Sequence, residues 1–226
     1  MRSVIAVDFG VEMIFPALFC IWIFGKCLLY RVFYFLESVD FQRKELQQSI
    51  LITSALWLFT FFCLLAIWSP SPPFIKIRTL FFLAFLLQAG VTDAVSGYLP
   101  LTFTRRFMLG GLLVSGFWEL TAEVFLNRTL ETAGMGLLMI VIHKVANRKL
   151  ERIGRGDLWL ITAFTAWEGI QNAAIIAVGG LAAFICWHLS RNISEKKEGP
   201  VGPWLCISGG LVLLEKLYNP IWMMTQ

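Results

Sequence analysis

Two acids set in apolar surroundings, Asp93 and Asp157, are the side chains whose type and placement could do chemistry. Asp157 closes the stretch Gly154-Arg155-Gly156-Asp157 and is followed at once by the apolar run 158–166, which puts a carboxylate at the mouth of a membrane helix. Keeping an acid in hydrocarbon costs roughly 2.5 to 3.5 kcal/mol at a helix centre and less near the interface, so such a residue is a functional candidate by default. Gly154 and Gly156 lack the Cβ atoms that would stop another backbone or an extended peptide from approaching, and they permit the angles of a loop entering a helix. An ordinary turn followed by a helix N-cap is the competing reading of the same four residues.

A second carboxylate nearby would change what the first can do. Two carboxylates close together cannot both ionise cheaply, so their titrations couple and one proton is shared. The ionised member can then take a proton from water while the protonated member polarises a scissile carbonyl and later protonates the leaving amine. Such a pair requires neither a metal nor a covalent intermediate. The bland rival is that each Asp caps a helix or pairs with Arg105, Arg106 or Arg155.

The elements that must position these acids are membrane helices. Of 226 residues 58% are hydrophobic and 15% charged, and the apolar residues come in long runs rather than alternating with polar ones. This specifies an all-α, polytopic integral membrane helix bundle. Twenty Phe and nine Trp suit lipid-facing surfaces and interfacial belts. The net charge of +4 reflects basic residues collected on cytoplasmic loops and calls for no nucleic acid. Cys20, Cys27, Cys63, Cys186 and Cys206 lie in apolar stretches without Cys-x-x-Cys spacing, so they read as small buried hydrophobes and not as metal ligands or disulfides. The N-terminal segment reads as an uncleaved first membrane helix.

Apolar runs broken by charge or proline predict about eight spans, near 11–35, 50–68, 78–95, 107–126, 132–145, 157–167, 173–189 and 204–218. The sixth and seventh are separated by a polar corner at 168–172, which could instead be the interior of one long helix. Lys and Arg concentrate on alternate loops, most densely at Lys144, Arg148, Lys149, Arg152 and Arg155. The positive-inside tendency makes that side cytoplasmic and both termini external. A single span over 157–189 would move the basic loop 190–203 outside, which favours the corner. In this topology Asp93 and Asp157 lie at the cytoplasmic ends of the third and sixth helices and can meet.

The stretch Asp93-Ala94-Val95-Ser96-Gly97-Tyr98-Leu99-Pro100-Leu101-Thr102-Phe103-Thr104, followed downstream by Gly-x-Gly-Asp, resembles the type IV prepilin peptidases, polytopic aspartic proteases of the bacterial inner membrane. Val201-Gly202-Pro203-Trp204-Leu205 is similar to that family's Phe-Gly-Pro-x-Leu segment, and Ala166-Trp167-Glu168-Gly169 to its Ala-Trp-x-Gly. The resemblance covers roughly residues 80 to 215. It implies that Asp93 and Asp157 are the catalytic pair and that Gly154, Gly156, Pro100, Thr104, Gly202 and Pro203 are motif positions. It further implies cleavage of the short basic leader of a prepilin or pseudopilin precursor at the cytoplasmic face, within one membrane-embedded peptidase domain spanning 1–226, with no metal and with membrane lipid as surroundings.

Departures accompany the resemblance. The loop 37–48 stands where many members carry a cytoplasmic insert with paired Cys-x-x-Cys motifs, so this is a compact form. The usual Gly-Ser-Phe-Leu-Asn segment of the first helix is replaced by Gly25-Lys26-Cys27-Leu28, and the family's N-methylation from S-adenosylmethionine is therefore not expected; no cofactor is. Trp159 replaces a lysine after the second aspartate, and Leu101 the usual acidic or amide residue after Leu-Pro. A presenilin-type protease with the same Gly-x-Gly-Asp pairs it with Tyr-Asp, where this chain has Thr92-Asp93. A transporter or assembly subunit would use the acids for protons or helix organisation instead.

Other polar residues carry plainer expectations. Glu12, Glu119, Glu123 and Glu168 read as paired or solvated, and His143 and His188 as interfacial hydrogen bonders. Gly110-Gly111, Gly134-x-Gly136 and Gly179-Gly180 read as close helix packing. Glu37, Asp40 and Glu45 could attract a basic leader.

Overall fold

A computed structural model describes residues 13–39, 49–118, 122–148, 154–190 and 199–224. These form seven helices: α1 (Ile14–Glu37), α2 (Ile50–Trp68), α3 (Pro73–Ser96), α4 (Leu101–Trp118), α5 (Ala122–Ala146), α6 (Arg155–Ser190) and α7 (Gly202–Met224). Among the described residues there is no strand, as the long apolar runs require. Five helices, α1, α2, α3, α5 and α6, are long and apolar enough to cross a membrane. Most of the loop 37–48, with Asp40 and Glu45, lies outside the described residues, as do Glu12, Glu119 and most of the loop 190–203.

The helix limits differ from the sequence expectation at several ends, three of which have a local cause. Pro73 opens α3 rather than belonging to the preceding loop, because proline lacks only an N–H that the first helical position leaves unbonded anyway. Leu101 opens α4 directly after Pro100, whose carbonyl accepts from Phe103 N at 3.0 Å and Thr104 N at 3.4 Å. Helix α5 runs straight through Asn127-Arg128-Thr129, expected as a loop. Two of those polar side chains are served within the helix: Thr129 Oγ1 donates to Phe125 O at 2.8 Å, and Arg128 pairs with Glu131 at 3.2 Å.

The chain groups into two compact units, Met1–Gln88 with Leu213–Gln226, and Ala89–Val212. In the first, α1 packs on α2. Gly25 makes this possible, since a Cβ there would stand 2.9 Å from Leu56 Cδ2 and 3.2 Å from Phe59 Cδ1. Gln88 Nε2 donates to Leu28 O at 3.2 Å and Tyr218 OH to Leu65 O at 2.7 Å, which satisfies polar groups that lipid would leave unbonded. Lys26 lies over the Trp22 ring at 3.7 Å, an aromatic partner for a cation inside an apolar helix.

The second unit holds both acids and is organised on α6, which packs against α4 and α5. Every residue from Leu160 to Gly169 is buried, Thr162, Thr165 and Glu168 included, so this segment has no solvent face. Gly169, with φ 85° and ψ 170°, breaks α6 inside the expected polar corner. The half before the break is roughly 20 Å long, too short for a hydrocarbon core of about 30 Å, whereas the half after it suffices.

The break frees a backbone N–H, and another helix satisfies it. Ile170 N donates to Glu131 Oε2 at 3.2 Å, and Arg128 holds the same carboxylate oxygen. A Cβ on Gly169 would fall on the Arg128 guanidinium. Gly169→Ala therefore forces an L residue into a positive-φ extended conformation that essentially only glycine adopts, costing about 1–3 kcal/mol, and displaces the arginine as well. We expect a thermal midpoint in detergent lowered by at least about 3 °C; an unchanged midpoint would show that the break adapts without glycine.

Candidate active site

Asp93 lies in the last turn of α3 and is only 3% exposed. The helix ends because Gly97 takes the left-handed conformation, φ 64°, with its N–H bonded to Asp93 O at 2.8 Å. Ser96 Oγ donates to Thr92 O at 2.7 Å and accepts from Tyr98 N at 3.2 Å, fixing the turn that follows. That turn delivers Leu99 and Pro100, both buried, to the start of α4. Thr104, also buried, donates to Leu101 O at 3.1 Å.

Asp157 lies in the first turn of α6, where the helix dipole favours negative charge. Gly156 is what brings this turn against the α3–α4 connection. A Cβ at that position would overlap Leu99 O and stand 2.8 Å from Leu99 Cβ, so any other residue would push the two segments apart. Gly154 is less constrained; a Cβ there would meet Asp157 Oδ2 at an ordinary 3.4 Å. Asp157 Oδ1 is buried without a hydrogen-bond partner.

The two carboxylates lie within electrostatic reach of each other and of the Cys206 thiol on α7. Neither acid is ion-paired to Arg105, Arg106 or Arg155 among the described residues, so the pairing alternative does not describe them. Instead Asp93 Oδ2 accepts the Gly202 N–H at 2.9 Å. Gly202 is the first residue of α7, so Asp93 serves one of the N–H groups that every helix start leaves unbonded. Pro203 next to it contributes no such group. The Gly-Pro pair thus fits a helix start to a carboxylate.

The sequence expectations thus meet at one place: Asp93 and Gly202 in direct contact, Gly156 on Leu99 with Pro100 beside it, and Asp157 nearby. Thr104 bonds within its own turn, and Pro203 adjoins Gly202 in the chain.

Of the positioning residues, Gly90 was not singled out by the sequence, and Trp167 only as part of the Ala-Trp-x-Gly resemblance. Gly90, one turn before Asp93, lets α7 approach, with a Cβ there 3.4 Å from Cys206 Cβ. Trp167, fully buried, donates from Nε1 to Phe107 O at 2.7 Å, with Phe107 and Phe164 edge to face beside it. It anchors the far end of the segment that carries Asp157. The expected glycine packing holds for Gly111 against Trp167, for Gly179 against Ser208 and for Gly180 against Leu205. Gly134 faces open space, because that side of α5 meets no neighbour. Cys63 and Cys206 are buried as expected, whereas Cys20, Cys27 and Cys186 are exposed on faces their helices do not pack. Glu168 is buried, not solvated. Among the described residues no group of three His, Cys, Asp or Glu could hold a metal ion.

The sequence model of the type IV leader peptidase family matches residues 80–189, a stretch that includes both aspartates. A prepilin leader peptidase/N-methyltransferase of Dickeya chrysanthemi is 35% identical over 132 residues, 54% of this chain and 45% of that protein. The protein of the same description from Pectobacterium carotovorum subsp. carotovorum is 32% identical over 150 residues, 62% of this chain and 52% of its own. The leader peptidase HopD of Salmonella typhimurium is 30% identical over 142 residues, 58% of this chain and 87% of that protein. This chain therefore spans about half the length of the first two relatives and most of the third. No solved structure matches it.

Proposed function

Since the chain belongs to the type IV leader peptidase family, we propose that it is an aspartic-type endopeptidase of the bacterial inner membrane, which removes the leader of prepilin-like or pseudopilin-like precursors at the cytoplasmic face. The observation that carries this reading is the pair of buried-edge carboxylates, one clasped by a backbone N–H and the other with a bare oxygen. The anionic acid removes a proton from water, whose oxygen attacks the scissile carbonyl carbon, while the protonated acid donates to the carbonyl oxygen. On collapse the C–N bond breaks and the leaving amine takes up a proton from the pair. The reaction consumes one water and needs no cofactor.

Basic loops beside the acids would keep this end of the helices in the cytoplasm, and the precursor's apolar segment would stay in the membrane while its leader reaches the pair. The proposal is confined to hydrolysis; N-methylation, which the names of two relatives include, is not assigned to this chain. The test is incubation of membranes carrying the intact chain with several prepilin-like precursors, followed by sequencing of the product's new N-terminus. A single cut at the end of the basic leader is expected. Uncut precursors, with the protein intact in the membrane, would turn the reading toward a non-enzymatic transport or assembly role.

A further inference from the structure

A cavity of about 290 Å³ opens between the C-terminal part of α5 and the first turns of α6, apart from the two acids. His143, Lys144 and Arg155 line it, together with Met139, Ile140, Leu158 and Trp159. The α5 residues recur at three- and four-residue spacing along one face, so the lining passes from apolar to basic towards the helix end. From Met139 to Lys144 this gradient covers roughly 7.5 Å of helix.

Among the described residues the basic side chains have no counter-charge. The lining contains no carboxylate, and neither Lys144 nor Arg155 is ion-paired among the described residues. His143 Nε2 is buried with no hydrogen-bond partner. Two cations turned toward one cavity repel unless an anion lies between them. Lys144 stands near the C-terminal end of α5 and Arg155 opens α6, so in a bilayer these helix ends would face the lipid headgroups and the apolar lining the acyl chains. Trp159 suits the boundary between the two.

We propose that this cavity binds the phosphate headgroup of an anionic phospholipid, with Lys144, Arg155 and His143 on the phosphate and the upper acyl chain against Met139, Ile140 and Leu158. Basic pockets between membrane helices are suited to such headgroups. Free inorganic phosphate would satisfy the mouth and leave the apolar lining unused. The lipid would brace the start of α6, the turn that carries Asp157, without touching the acids.

The test uses the full chain purified in a neutral detergent. Thermal unfolding is followed with phosphatidylglycerol, with phosphatidylcholine at the same mole fraction, and with inorganic phosphate. At a hundredfold excess over its dissociation constant, phosphatidylglycerol is expected to raise the midpoint by about 5 °C, with the other two far behind. The Lys144→Gln/Arg155→Gln variant should lose most of that shift. Native mass spectrometry of the unmodified chain gives a readout independent of the variant's folding, and should show phosphatidylglycerol retained over phosphatidylcholine. Equal response to the two lipids, full stabilisation by phosphate alone, an undiminished shift in the variant, or no preferential retention would each overturn the proposal.

Discussion

Asp93→Asn and Asp157→Asn should each reduce cleavage of a prepilin-like precursor by about 10²- to 10⁴-fold, the range for loss of a positioned acid or base. Asparagine is the informative substitution because it preserves shape. At position 93 its amide oxygen can still accept the Gly202 N–H, now 2.9 Å from Asp93 Oδ2, so the start of α7 keeps its partner. What disappears is the ability to take up and release a proton. Protein abundance and thermal midpoint should therefore stay near those of the unmodified chain while turnover falls. The two losses should not add: with one acid gone, no shared proton remains, and the double variant should be no slower than the worse single one. Should either variant retain more than about a tenth of the activity, the two acids do not work as a pair, and a role in helix organisation becomes the better account.

Gly202→Ala should lower cleavage about 10²-fold while leaving both acids chemically intact. A Cβ at that position would stand 2.6 Å from Asp93 Oδ2 and 3.0 Å from Asp93 Cβ and Cγ. Asp93 is buried in the last turn of a helix and has little room to retreat. Either the carboxylate rotates away from the Gly202 N–H or the first turn of α7 moves outward, and a displacement near 1 Å at a reacting group costs about that factor. Stability should fall too, by about 1–3 kcal/mol for an overpacked buried site, which separates this variant from the asparagine pair. Gly134→Ala is the control, because a Cβ there meets nothing within 4 Å. It should cleave normally and, as alanine in a helix interior, be at least as stable. Equal activity of Gly202→Ala and the unmodified chain would mean that the N–H bond to Asp93 is incidental.

The parts of this site that the sequence revealed share a physical cause. A carboxylate in an apolar run is conspicuous because hydrocarbon penalises it, and that alone marks Asp93 and Asp157. The break at Gly169 was foreshadowed by the polar residues 168–172, and the class of fold by the length of the apolar runs. What stayed hidden depends on partners remote in the chain. Glu131 serves the N–H of Ile170, which is 39 residues away on another helix, and nothing local to Glu131 indicates it. Gly90 is an ordinary helix glycine until the neighbour that presses on it is known. Asn127-Arg128-Thr129 misled for the converse reason: composition suggests a loop, but the hydroxyl and guanidinium find partners within their own helix. The exposed cysteines show the same limit, since an apolar run does not tell which of its faces meets protein.

The Asp93–Gly202 bond joins residues 109 positions apart, one in α3 and the other at the opening of α7. During synthesis at about 5–20 residues per second, roughly 5 to 20 s separate the emergence of the two. Once Asp157 has followed, in the later part of that interval, both acids exist but Asp93 has no clasp, because the helix start that supplies it has not been made. The nascent chain thus passes through the membrane insertion machinery, where other half-inserted helices are close by, before its peptide-cutting geometry is complete.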